Sequence, residues 1–312
     1  MWISIVAVWF ALAIDRWFGE PPSGIHPVVG IGRCLGWFGE RIAPRAGDAE
    51  RHWLCFGAGA LVWCAGALLV AALACAVALI AGRLPAWAHA LVLGIVLKPL
   101  LAWRMLRDEV LAVEAALGRS LDEGRTQLAR LVSRDVRSLS QEQVRESAIE
   151  SLAENLNDSL VAPLFWFVLL GLPGAAVYRF ANVADAMWGY RCIRAGRDWE
   201  WAGKWAARAD DVLSWIPARL TAGLLLLGSS VGLGACWREA RKTPSPNSGW
   251  PMAAAALRMN VRLSKPGVYV LHAQGRTPAA ADVARVTAQA SRVVGWSALG
   301  ATAALAAMEV WR

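Results

Sequence analysis

Residues 53–82 run for thirty positions without a charged side chain. A helix needs about 20 predominantly apolar residues to cross the hydrocarbon core of a bilayer. This run has length to spare, and a soluble helical protein has no place to put it. Backbone inside lipid must satisfy its own hydrogen bonds, so the expected spanning element is a helix. The chain therefore reads as an all-α polytopic integral membrane protein.

The rest of the chain agrees. Further apolar runs cover about 2–14, 87–103, 160–178, 212–236 and 293–311. Mean hydropathy is +0.40, and charged residues make up 18%, below the roughly 25% usual for soluble proteins. Run 2–14 lacks a basic n-region and is followed by Asp15 and Arg16 rather than a cleavage site, so it reads as a retained first helix. The net charge of +8 sits in the loops, the pattern of a positive-inside bias rather than of nucleic-acid binding. Six cysteines show no metal-ligand spacing. Residues 104–150 mix eight Lys/Arg with nine Asp/Glu, with leucines at helical spacing, and predict amphipathic helices outside the bilayer. No repeat or linker divides the chain, which reads as a single membrane-embedded domain over 1–312.

Basic residues flank every polar stretch, including 15–52, read as a loop, and 179–210. A full crossing at 160–178 would put Arg179, Arg191, Arg194 and Arg197 outside. Gly171, Pro173 and Gly174 break that run after about eleven apolar residues, and Gly228, Ser229 and Ser230 offer a similar break in 212–236. Segments that enter, turn and return would keep every polar stretch on the cytoplasmic face, with both termini outside. Straight crossings are the competing topology.

Chemistry concentrates in ESAIESLAENLNDSLVAPLFW, residues 146–166. Glu150, Glu154 and Asp158 stand at i, i+4 and i+8, one stripe of a helix at the edge of an apolar run. Like charges in a row call for a cation or a cationic ligand. Further polar groups follow in YRFANVADAMWGYR, with Asn182 and Asp185 on one face, and in ARADDVLSWIPARLTAGLL, with Asp210, Asp211 and Arg219. NSGWPMAAAALRMNVRLSKPGVYVL closes the set, with a turn at Lys265. His26, a lone histidine beside a proline, reads first as a structural hydrogen-bonding group. No Walker A, G-x-S-x-G, H-E-x-x-H or G-x-G-x-x-G motif stands in a fitting context. The residues alone suit a divalent cation with a phosphate ligand, and equally an ion or solute path.

With DRWFGEPPSGIHPVVGIG at 15–32, these motifs occur in the order seen in the CobD/CbiB family, and the chain resembles its adenosylcobinamide-phosphate synthases. The matching stretches run from residue 15 to about 271. Four positions depart mildly from the family pattern: Asn157, Ser159, Val183 and Ser214 stand where Ser, Gly, Thr and Asn are usual. The resemblance implies an ATP-dependent ligase of cobalamin biosynthesis. It would join the free propionate of adenosylcobyric acid to (R)-1-amino-2-propanol or its O-phosphate. A carboxylate is a poor electrophile, so an acyl phosphate is the expected intermediate, made with ATP and Mg²⁺.

On that resemblance, Glu150, Glu154, Asp158, Asp185, Asp210 and Asp211 are candidate catalytic residues, the first three also candidate Mg²⁺ ligands. Lys265, Arg219 and Arg191 are candidates for ATP phosphates or the substrate's anionic groups. Asn155, Asn157 and Asn182 are candidates for the corrin's amides, Asp15, Glu20 and His26 for closing the site from the first polar loop, and Asn247 and Trp250 for binding the substrate. The expected location is the cytoplasmic (inner) membrane with the site facing the cytoplasm, beside later cobalamin-assembly enzymes. A corrinoid transporter is the rival class, although the polar groups lie outside the apolar runs and no inverted repeat is visible. A non-catalytic scaffold would have no need of the acidic stripe.

Overall fold

The structure, a computed structural model, describes residues 2–48 and 52–310. It is helical almost throughout. In chain order the elements are α1 (Trp2–Phe18), α2 (Pro27–Ile42), α3 (His52–Ala81), α4 (Ala86–Leu97), α5 (Trp103–Leu117), α6 (Leu121–Leu128) and α7 (Gln141–Leu156). Then come α8 (Ala162–Trp188), the strand pair β1 (Ile193–Arg194) and β2 (Arg197–Asp198), and α9 (Lys204–Leu213). The chain ends with α10 (Trp215–Leu226), α11 (Leu233–Ala240), α12 (Gly249–Met259), β3 (Leu263–Lys265), β4 (Tyr269–Leu271) and α13 (Ala280–Val310). The run expected over 293–311 lies in α13, and Trp311 falls outside the described residues. Among the described residues, three stretches are long and apolar enough by length and composition to cross a membrane: His52–Ala81 as one unbroken helix, and Ala86–Leu117 and Gln141–Trp188 counted across the breaks at 98–102 and at Gly171.

Backbone packing gathers the chain into two compact units. Unit one is Met1–Leu101, Ala162–Leu213 and Ala301–Arg312; unit two is Ala102–Val161 and Ser214–Gly300.

In unit one, α3 buries only Gly59, Ala67, Ala74 and Ala81, a thin seam of small residues seven or eight apart. Glycines on and beside the seam let neighbours approach closely: a Cβ on Gly66 would lie 2.5 Å from the Phe180 ring, and one on Gly59 would collide with the Ala202 carbonyl. Leu61, Leu68, Leu69, Leu73, Leu79 and Ile80 all point outward. A continuous apolar surface of this size is stable against lipid, not water. Helix α8 bends sharply at Gly171, whose φ of 66° and ψ of −157° only glycine adopts without strain. A Cβ on Gly174 would stand 2.5 Å from the Trp166 carbonyl oxygen. Eight residues of straight helix would put them about 12 Å apart, so the chain has turned back on itself. The arm at 162–170 reaches only about 14 Å, under half of the ~30 Å core.

Unit two turns back in the same way after α10, whose twelve residues extend about 18 Å. Gly228, at φ 74°, ends it, and α10 and α11 both pack on α12. Its last carbonyls keep partners: Arg258 donates to those of Leu225 (3.1 Å) and Leu227 (2.7 Å), and Gln289 to that of Leu225 (3.3 Å).

The stretch read as a polar loop contains α2. His26 caps it, its Nδ1 accepting from the Val28 N–H at 3.2 Å, and Pro27 supplies the fixed φ of a first helical residue.

Candidate functional site

The site in unit two is built on α7. Ser140 and Gln143 form a capping box that fixes where the helix starts. Ten of its sixteen residues are buried, because α5, α6, α12 and β3 all pack around it. Glu146 and Glu150 are therefore carboxylates inside a core, tolerable only with partners. Glu146, fully buried, accepts from Arg262 at 3.2 Å and from the Ser264 hydroxyl on β3. Glu150 faces Arg134 at 3.2 Å, and the same guanidinium bonds the Ser147 hydroxyl.

One turn further, α7 lines a cavity of about 170 Å³. Its polar walls include Glu150, Glu154, Asn155, Arg134, Lys265 and Tyr269. Lys265 and Tyr269 arrive together because they are register partners across β3 and β4. The turn between them carries Pro266 and then Gly267 at φ 73°, closed by the Val268 N–H donating to the Lys265 carbonyl at 2.9 Å. These are the residues a type II turn demands. Burial, then the Glu150 and Glu154 carboxylates, push the Tyr269 phenol well above its ordinary pKa, so it remains an O–H donor. Asn155 is held by its own helix, donating to the Ser151 carbonyl at 2.9 Å.

Glu150 Oε1 and two Arg134 nitrogens, Nε and Nη1, are buried without hydrogen-bond partners. The two groups pair with each other, yet donor and acceptor atoms of both are left over, which fits a ligand that brings an anionic oxygen and a cation together. Among the described residues no three His, Cys, Asp or Glu side chains gather closely enough to hold a metal by themselves. Mg²⁺ needs no such cage: it commonly takes one or two carboxylates, the remaining ligands being phosphate oxygens and water. Glu150 and Glu154 suit that mode. Asp158 does not line the cavity. The α-helix gives way to a π-turn over Asn157–Val161, which carries Asp158 off the stripe. There Asn157 donates to Asp158 at 2.8 Å and accepts from Thr221 at 3.0 Å.

Arg219, Asn247 and Trp250 also meet in unit two. Arg219 donates to Asn247 Oδ1 at 2.6 Å and to the Trp215 and Pro246 carbonyls, and its guanidinium lies 5.0 Å over the Trp250 ring. It braces α10 against the loop before α12.

The other candidates belong to unit one. Asp15 and Glu20 converge on Lys98, with oxygens 3.4 and 2.8 Å from its ammonium, and Glu20 pairs with His26 at 3.0 Å. Lys98 and Asp15 are both fully enclosed. Lys98 falls within the apolar run 87–103. Its signal was there, since an ionisable group inside an apolar run marks a polar site by default. Asn182 accepts from Arg179 at 3.2 Å. Arg191 and Asp211 line a cavity of about 250 Å³, where burial raises the Asp211 carboxyl's pKa against the pull of Arg208 and Arg191. Asp185 underlies Gly189 at its edge, and Asp210 precedes Asp211 on α9. Arg134 and Tyr269 escaped the sequence reading, one being among eight basic residues of a mixed-charge segment and the other an aromatic in a short strand.

These features define a helical membrane protein with a buried site of carboxylates and cations. The comparisons agree on what kind. Residues 8–294 match the family model described as CobD/Cbib protein. The chain is 40% identical to the cobalamin biosynthesis protein CobD of Chromobacterium violaceum, over 95% of each chain. It is 39% identical to the probable cobalamin biosynthesis protein CobD of Methanothermobacter thermautotrophicus, over 84% of each. No solved structure matches. The chain belongs to the CobD/CbiB family of cobalamin biosynthesis proteins.

Proposed function

We propose that the protein is an ATP-dependent amide ligase that joins the free propionate of adenosylcobyric acid to aminopropanol or its O-phosphate, through an acyl phosphate. One observation carries the proposal: Lys265 and Arg134 share one cavity with Glu150 and Glu154, and the Arg134–Glu150 pair leaves Arg134 Nε and Nη1 and Glu150 Oε1 without hydrogen bonds. Lys265 and Arg134 would hold the phosphates and stabilise charge on the group in transfer. Glu150 and Glu154 would hold Mg²⁺, which neutralises phosphate charge. Tyr269, kept protonated, would donate to a phosphate or carboxylate oxygen. The carboxylate's oxygen leaves with the phosphoryl group when the amine attacks, and a base takes the ammonium's proton.

Purified protein in detergent, given adenosylcobyric acid, aminopropanol or its phosphate, and Mg-ATP, should form the amide with one ADP per product. Glu154→Gln should lower turnover by a factor of about 10² or more while leaving the melting temperature unchanged. Wild-type turnover in that variant would remove Glu154 from the site. Absence of product together with corrinoid flux in proteoliposomes would replace the ligase with a transporter.

A further inference from the structure

The cavity of about 250 Å³ in unit one takes no part in the chemistry proposed above. Its walls carry Arg191, Lys204 and Arg208, with Glu200 and Asp211 among them. A simple anion would meet two like charges here, and a simple cation three. The set suits one small ligand bearing both a phosphate and an ammonium: guanidinium and ammonium donors for the phosphate oxygens, carboxylates for the ammonium.

The aromatic neighbours fix the cavity's depth. The Lys204 ammonium lies 3.7 Å over the Trp201 ring, and Trp201 stacks on His52, with ring centroids 4.8 Å apart. His52 is the first residue of α3, the most apolar stretch in the chain. Trp53 packs against Trp201 at 5.7 Å, and Phe56 against Trp205 at 6.2 Å. Tryptophan belts of this kind mark where hydrocarbon meets headgroups. The cavity thus adjoins the headgroup layer at the start of a helix whose outer surface is apolar.

We propose that this cavity binds an aminoalkyl phosphate, Arg191, Arg208 and Lys204 taking the phosphate and Glu200 and Asp211 the ammonium. Two sources supply that chemistry: the headgroup of a phosphoethanolamine lipid, and a free amino-alcohol phosphate. The aromatic belt favours the lipid. Only the second source rests on the ligase function.

The experiment uses the full-length protein without ATP or corrinoid, so its failure leaves the site in unit two untouched. Native mass spectrometry after exposure to phosphatidylethanolamine and phosphatidylglycerol reads the lipid; calorimetry with O-phosphoethanolamine and inorganic phosphate in lipid-free detergent reads the soluble ligand. Preference for phosphatidylethanolamine over phosphatidylglycerol by about tenfold is expected from one charge-assisted contact. Glu200→Gln and Arg208→Gln should each weaken binding about as much. Both side chains are exposed, so both variants should fold, and an unchanged melting temperature checks this. Binding of the lipid alone assigns the lipid source, and binding of O-phosphoethanolamine in calorimetry assigns the soluble one. The proposal is overturned by equal retention of phosphatidylglycerol, by equal affinity for inorganic phosphate, by no binding of either aminoalkyl phosphate, or by wild-type affinity in Glu200→Gln.

Discussion

Helices α3 and α7 solve opposite problems. The first hides four small residues and leaves its leucines outside; the second hides ten residues, two of them glutamates. Read as soluble elements, both look inverted. Their logic appears once each is matched to its surroundings. For α3, lipid replaces the core as the apolar phase, so the seam is chosen for close approach rather than for hydrophobicity. For α7, the protein itself replaces water as the polar phase, and each buried carboxylate is answered by a named donor: Arg262 and Ser264 for Glu146, Arg134 for Glu150. Burial therefore tracks partners, not hydropathy.

Placing a charge on the outward face of α3 is the harshest test of that contrast. Leu68 is 72% exposed near the middle of the helix. Leu68→Asp should cost about 3–4 kcal/mol in membrane insertion. A glycosylation-based insertion assay should show a marked fall in the inserted fraction, and unchanged insertion would mean that this face does not meet lipid. On α7 the sign reverses, and removing a charge should hurt. Glu146→Ala leaves Ser264 and Arg262 without their acceptor. Losing a buried partner costs about 3–5 kcal/mol, and Arg262 can turn partly to water, so a loss of about 2–3 kcal/mol is expected. Thermal melting in detergent measures it; a stability equal to wild type would make Glu146 a tolerated burden rather than a partnered group.

The smallest effect concerns a carboxylate with an exposed partner. Asp282 is buried in the first turn of α13, where Arg276 donates to it at 2.5 and 2.7 Å and the Ala279 N–H at 2.8 Å. The Arg276 hydrogen bonds first, then the backbone, lower its pKa. The folded carboxyl thus holds its proton less tightly than the unfolded one. Its contribution is whole at neutral pH, begins to fall below about pH 4 and is gone once the folded carboxyl protonates. Melting temperature should therefore drop more between pH 7 and pH 3 for the wild type than for Asp282→Asn. Equal drops in the two proteins would show that the pair contributes nothing.

Much of this was legible in the sequence, for identifiable reasons. A run as long as α3 has one physical interpretation, and Gly171 and Gly228 declared the reversals because few other residues tolerate those backbone angles. The turn at Lys265 was legible from proline followed by glycine. Hidden features depended on long-range company. Nothing local separates Arg134 from the other arginines of its segment, since it matters through a glutamate sixteen residues away. Tyr269 acquires its role only by strand register, and Asp158 leaves the stripe through a π-turn that has no compositional signature. Helix α2 was concealed by its glycines, although the His26–Pro27 pair announced its start.

The turn that carries Lys265 has a kinetic consequence. Pro266 narrows the unfolded ensemble, Gly267 releases the strain of the reversal, and the flanking strands hold both ends. The disorder that a lysine on a mobile loop would surrender at each binding event is here surrendered once, when the chain folds. On the proposed function, a phosphate entering the cavity would meet a cation whose backbone is already set, with no loop to close before capture and none to rebuild afterwards.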